Sequence, residues 1–100
     1  MKKLILAATI ALSFSASADL CKPIQEDAKS TMDARQRGIS INVVIGIAKE
    51  VSADNDLFDS YLRMILRAYN TPQYDTGKYR QKASREFALE YYIACKKLTV

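Results

Sequence analysis

The chain has 100 residues, with fifteen Lys and Arg against eleven Asp and Glu, two cysteines and no histidine. That length suits one domain with a modest core, and the lack of histidine excludes Ser-His and Cys-His nucleophilic pairs and any histidine-ligated metal. Two of the fifteen cations lie in the first eighteen residues, so beyond them thirteen stand against eleven, and a net +2 does not argue for nucleic-acid binding.

Those eighteen residues read as a signal peptide. Lys2 and Lys3 form a positive start, and Leu4 to Phe14 (LILAATIALSF) is an uncharged apolar run. The run is shorter than the roughly 20 residues that cross a bilayer. Ala16-Ser17-Ala18 supplies the small-x-small pattern of signal peptidase, so cleavage is expected after Ala18. The residues before Cys21, namely Ala18, Asp19 and Leu20, are no lipobox. No later apolar run approaches spanning length, so the expected product is a periplasmic protein of residues 19–100, one domain without a membrane span.

The first helix is expected from Pro23, where a missing N–H costs nothing. Ile24, Ala28, Thr31 and Met32 recur at three- and four-residue steps, with Cys21 just before them. Gly38 suits a helix stop because it takes positive φ without strain. The segment after it, ISINVVIGIA, is strand-like by propensity. Ser40 is nevertheless a good N-cap, Val44, Ile45, Ala48 and Val51 share a helical face, and nothing else in the chain would pair with a strand. A second helix is therefore expected from Ile41 to Ser52.

Asp54, Asn55 and Asp56 bring capping oxygens and negative charge to the start of a third helix. Its expected apolar stripe runs through Leu57, Phe58, Tyr61, Leu62, Ile65, Leu66 and Tyr69, and Asn70-Thr71-Pro72 end it. A polar loop, NTPQYDTG, leads to a fourth helix from Lys78 to Leu98. The inward face expected there is Ala83, Phe87, Ala88, Tyr91, Ala94, Cys95 and Leu98. Lys78, Arg80, Lys82 and Arg85 make its first half basic on the outside, and Lys96 and Lys97 suit its C-terminal end.

Two cysteines in an exported chain most simply form one disulfide. A redox pair or a metal site has no support, because there is no CxxC and two thiolates do not complete a zinc shell. A Cys21–Cys95 bridge would close almost the whole mature chain, and in the chain-entropy model it contributes roughly 4–5 kcal/mol. In an up-down-up-down order of four helices the two cysteines fall at the same end. The fold class expected is therefore all-α, a small four-helix bundle closed by one disulfide, with connections short enough for antiparallel neighbours.

Three short segments carry a resemblance: Arg35-Gln36-Arg37-Gly38-Ile39-Ser40 (RQxGxS), Ala68-Tyr69-Asn70-Thr71-Pro72 (AYxxP), and Phe87 eight residues before Cys95. With the signal peptide and an early cysteine, the chain resembles a group of small exported one-disulfide proteins encoded by Gram-negative bacteria and their phages. The resemblance implies the helical fold and no particular activity. Its phage association implies superinfection exclusion or host interference as roles to test.

Clusters that suggest chemistry have simpler readings. Arg35 and Arg37 complement the negative end of the first helix, and the binding alternative is an acidic group on a partner. Asp54, Asp56 and Asp59 have the spacing of a helix start rather than of a metal set. Glu86 and Glu90 are four apart, but a paired-carboxylate glycosidase needs one of them in a desolvating pocket. No GxGxxG or P-loop is present. Tyr74 and Tyr79, beside Lys78 in a polar loop, have the composition of a protein interface. The expectation is a non-catalytic module, without metal or cofactor, that binds an envelope protein through Arg35, Arg37, Tyr74, Lys78 and Tyr79. It would act as an inhibitor, immunity or exclusion factor. An acid-activated periplasmic chaperone is the alternative, and a peptidoglycan-acting enzyme ranks below both.

Overall fold

The computed structural model describes residues 20–99, which form four α-helices with no strand among them. These are α1 (Cys21–Gln36), α2 (Ile41–Val51), α3 (Asn55–Tyr69) and α4 (Gly77–Thr99). The expected signal peptide and its cleavage site lie outside the described residues.

Apart from the start of α1, the helix ends described below have local causes. α1 starts at Cys21, two residues before Pro23, with Pro23 still inside the first turn, where proline is tolerated. No side chain caps this end; Cys21 is instead bonded to Cys95 of α4, Cα to Cα 5.6 Å. At the other end Gly38 has φ +79°. Its N–H donates to the Arg35 carbonyl at 3.1 Å, and Ile39 N–H donates to the Ala34 carbonyl at 3.0 Å. Together these make a Schellman stop. Ser40 Oγ then accepts from Asn42 N–H at 3.3 Å and opens α2. α2 is a helix despite its β-branched run, and it closes where Ser52 Oγ donates to the Ala48 carbonyl at 2.6 Å. Asp54 Oδ1 accepts from Leu57 N–H at 2.8 Å and opens α3. Thr76 Oγ1 takes the same role for α4, accepting from Tyr79 N–H at 3.3 Å.

The core is built from α1, α3 and α4: Ala28 and Met32, Met64 and Ala68, Phe87 and Ala88, with Tyr69, Ala83 and Tyr91 packed against it. α1 and α4 run antiparallel and make the most extensive pairing. The small residues Ala28, Ser84 and Ala88, all buried, let the two backbones approach. α1 and α3 run parallel: Asp27 meets Tyr61, Thr31 meets Met64, and Arg35 meets Thr71. The diagonal pair of the up-down order is thus in contact. α2 packs on α3 and touches α1 only lightly.

This arrangement corrects several expected core positions. Leu98 is 88% exposed and Ala94 is exposed; Leu98 lies beyond the Cys95 bridge to the start of α1, where no other described helix covers it. Leu57 and Leu66 face outward on α3, while Met64 and Ala68 of the same helix are buried. Val51 is exposed on α2, and Ile24 is exposed on α1. Gln36, read only as part of a charged turn, is 2% exposed.

Candidate functional site

The end of the bundle where α1 turns into α2 and α3 into α4 is tied together by polar side chains. Gln36 is at the centre. Its Nε2 donates to the Pro72 carbonyl at 2.9 Å, and its Oε1 accepts from Tyr74 N–H at 2.9 Å. Its own carbonyl accepts from Gln73 Nε2 at 3.2 Å. Arg35 Nε donates to the Thr71 carbonyl at 2.9 Å, and its guanidinium lies 5.4 Å from the centre of the Tyr69 ring. Tyr69 Oη donates to the Ile39 carbonyl at 2.7 Å. The RQxGxS and AYxxP segments therefore interlock. Their shared residues are what a rigid joint needs: a donor–acceptor amide, a planar cation, a phenol and a left-handed glycine. Gly38 belongs to the same joint, since a Cβ built there would stand 3.1 Å from Gln73 Nε2.

Of the expected contact residues, Arg35 is thus turned inward. Arg37, Tyr74, Lys78 and Tyr79 remain exposed on this end. Tyr74 and Tyr79 pair with ring centres 6.2 Å apart, and Arg80 Nε donates to the Tyr74 carbonyl at 2.6 Å, which holds the loop against α4.

A concavity with a mostly apolar lining lies elsewhere. α1 and α2 splay apart over α3 and leave an open groove of about 260 Å³. One wall is Val43, Ile47 and Val51, at four-residue steps along α2, and these are 53%, 54% and 62% exposed. The facing wall is Ser30, Thr31 and Ala34 of α1, Ile65 lies in the floor, and Ile39 stands at the turn end. Asp27 is the one charged residue in the lining; its Oδ2 accepts from Tyr61 Oη at 3.0 Å. Burial, and then the adjacent carboxylate, push the Tyr61 phenol above its usual range. The sequence sets Val44, Ile45, Ala48 and Val51 on one helical face, whereas the structure puts Val51 with Val43 and Ile47 on the groove wall. The Val43–Ile47–Val51 spacing was the available sign of a second apolar face.

The carboxylates have structural partners. Asp33 accepts from Ser84 Oγ of α4 and pairs with Lys29 Nζ at 3.0 Å. Burial raises its affinity for a proton, but the Ser84 and Lys29 bonds and the charges of Lys29 and Arg37 outweigh that, and the carboxyl sits below its usual range. Glu90 pairs with Arg67 of α3 at 2.9 Å, whereas Glu86 lines a depression along α1, so the two do not converge. Asp54 is occupied as a cap. Among the described residues no group of three His, Cys, Asp or Glu is placed to hold a metal, and no helix is long and apolar enough to cross a membrane.

Comparison of the chain with protein-family models, with curated proteins and with solved structures returns no match.

Proposed function

We propose that the protein is a non-catalytic binding module of the bacterial envelope that receives an apolar segment of a partner protein in the groove between α1 and α2. The observation that carries this reading is the exposed Val43–Ile47–Val51 wall. An apolar helix in a small domain ordinarily turns such a stripe inward, because each large aliphatic side chain gains about 1.5–3 kcal/mol on full burial. An open groove lined at four-residue steps suits an amphipathic helix laid along it. Arg37, Tyr74, Lys78 and Tyr79 form a second, polar contact area at the turn end, and inhibition, immunity or exclusion are the outcomes such binding would serve. The test is site-specific crosslinking from Ile47 in the periplasm, with Ile47→Asp as the disrupting variant and Arg37→Ala and Tyr74→Ala for the polar area. One partner should be captured at native abundance, and Ile47→Asp should abolish its capture. Recovery of no partner, or capture unaffected by Ile47→Asp, would overturn the proposal.

A second reading, an acid-activated chaperone, draws support from the Asp33–Ser84 bond across the α1–α4 seam. Protonation of Asp33 would weaken that seam and loosen the helices covering Met32 and Phe87. This reading requires suppression of client aggregation in acid, once the pH falls through the lowered pKa of the half-buried Asp33 carboxyl. A fold that stays unaltered and inactive there would exclude it.

A further inference from the structure

α4 is the one helix among the described residues that carries a net charge. It holds Lys78, Arg80, Lys82, Arg85, Lys96 and Lys97 against Glu86 and Glu90, whereas cations and carboxylates balance in each of α1, α2 and α3. The charge is also organised. Lys78, Lys82, Arg85, Leu89, Ile93 and Lys96 recur at three- and four-residue steps and so share one face. Leu89 and Ile93 are 50% and 45% exposed in the middle of it. Lys22 and Lys29 of α1 flank the same face, lining a depression with Lys82, Arg85 and Leu89. Two carboxylates intrude there, Glu26 and Glu86; Glu90 is engaged by Arg67, and Asp33 by Lys29 and Ser84.

A helix face of cations around a pair of aliphatic side chains has the composition of an interfacial element. Long Lys and Arg stems reach phosphates while the aliphatic tips enter the acyl boundary. A nucleic-acid backbone would engage the cations and leave Leu89 and Ile93 unused. α4 is also already folded and tied to α1 by the Cys21–Cys95 bridge, so docking does not have to order it. We infer that the outer face of α4 docks on the surface of an anionic phospholipid bilayer, lying along it and not crossing it. The inference is independent of the α1–α2 groove, which is lined by α1, α2, α3 and the Ile39 turn and includes no residue of α4.

The experiment is co-sedimentation of residues 19–100, which contain all four helices and the bridge, with vesicles of phosphatidylcholine alone or mixed with phosphatidylglycerol. The expected result is retention that rises with phosphatidylglycerol, falls with added salt, and drops at least about tenfold in the double variant Lys82→Glu, Arg85→Glu. The variant Leu89→Ser, Ile93→Ser keeps the charge and should also lose retention; all four positions are exposed, so circular dichroism should show an unchanged fold. Equal retention on both vesicle types, no retention on either, or charge reversal without effect would overturn the inference. So would full binding by Leu89→Ser, Ile93→Ser together with displacement by soluble polyphosphate, which would mark the face as a binder of free polyanions.

Discussion

Replacing Gln36 by Ala tests whether the joint at the turn end holds the fold together. The substitution removes the donor to the Pro72 carbonyl and the acceptor for Tyr74 N–H, both at 2.9 Å. A net hydrogen bond contributes about 0.5–1.5 kcal/mol. Pro72 and Tyr74 are themselves exposed, so water can take up part of what they lose, and the middle of that range applies. Losing a buried methylene adds about 0.8 kcal/mol. The expected total is about 2–4 kcal/mol, out of about 4–12 kcal/mol for a domain of this size. The midpoint of thermal unfolding should fall by about 10–25 °C. The assay is thermal and denaturant unfolding of the oxidised protein followed by far-ultraviolet circular dichroism, with the denaturant midpoint moving and the slope constant. Arg37→Ala is the internal control: it alters an adjacent but exposed residue and should stay within about 0.5 kcal/mol of the parent. Gln36→Glu should be worse than Ala at neutral pH, because an acceptor would then face the Pro72 carbonyl, and acid should partly restore it. A Gln36→Ala midpoint equal to that of Arg37→Ala would refute the reasoning.

Reduction, or the double change Cys21→Ser, Cys95→Ser, opens a loop spanning 74 positions in sequence and should lower stability by roughly 4–5 kcal/mol in the chain-entropy model, leaving the chain mostly unfolded near body temperature. An unfolding curve unchanged by reductant would show that helix packing suffices. The Asp33 carboxyl is held below its ordinary value, so the stability it contributes is complete above the unfolded-state pKa and is lost as pH falls through the lower folded value. Stability should therefore decline in acid. Ser84→Ala should flatten that decline, and an identical acid profile in the two proteins would remove Asp33 as its source.

Much of the fold was legible in the sequence because its signals are local. A left-handed glycine at position 38, cap side chains at Ser40 and Asp54, and proline or asparagine near the helix ends act within a turn of where they stand. They set the end of α1 and the starts of α2 and α3 without reference to the rest of the chain. The two cysteines added one long-range constraint, and it closes between the ends of α1 and α4 that an even helix count brings together.

Relations between helices were not legible in that way. Apolar spacing says that a face exists and not what covers it, so Val51 and Leu98 fall on expected apolar faces although Val51 is exposed on the groove wall and Leu98 is exposed at the end of α4. The role of Gln36 depends on one carbonyl, one backbone N–H and one side-chain amide more than thirty positions away, and side-chain chemistry alone cannot announce such partners. The sequence by itself determined where α1 stops and where α2 and α3 start, because those capping interactions are made within a few residues. Only the tertiary structure decided that α1 packs on α3 and splays from α2, leaving a groove along Val43, Ile47 and Val51. Interhelical distance is a property of how close two faces can approach, and the small residues that allow it are shared between segments far apart in the chain.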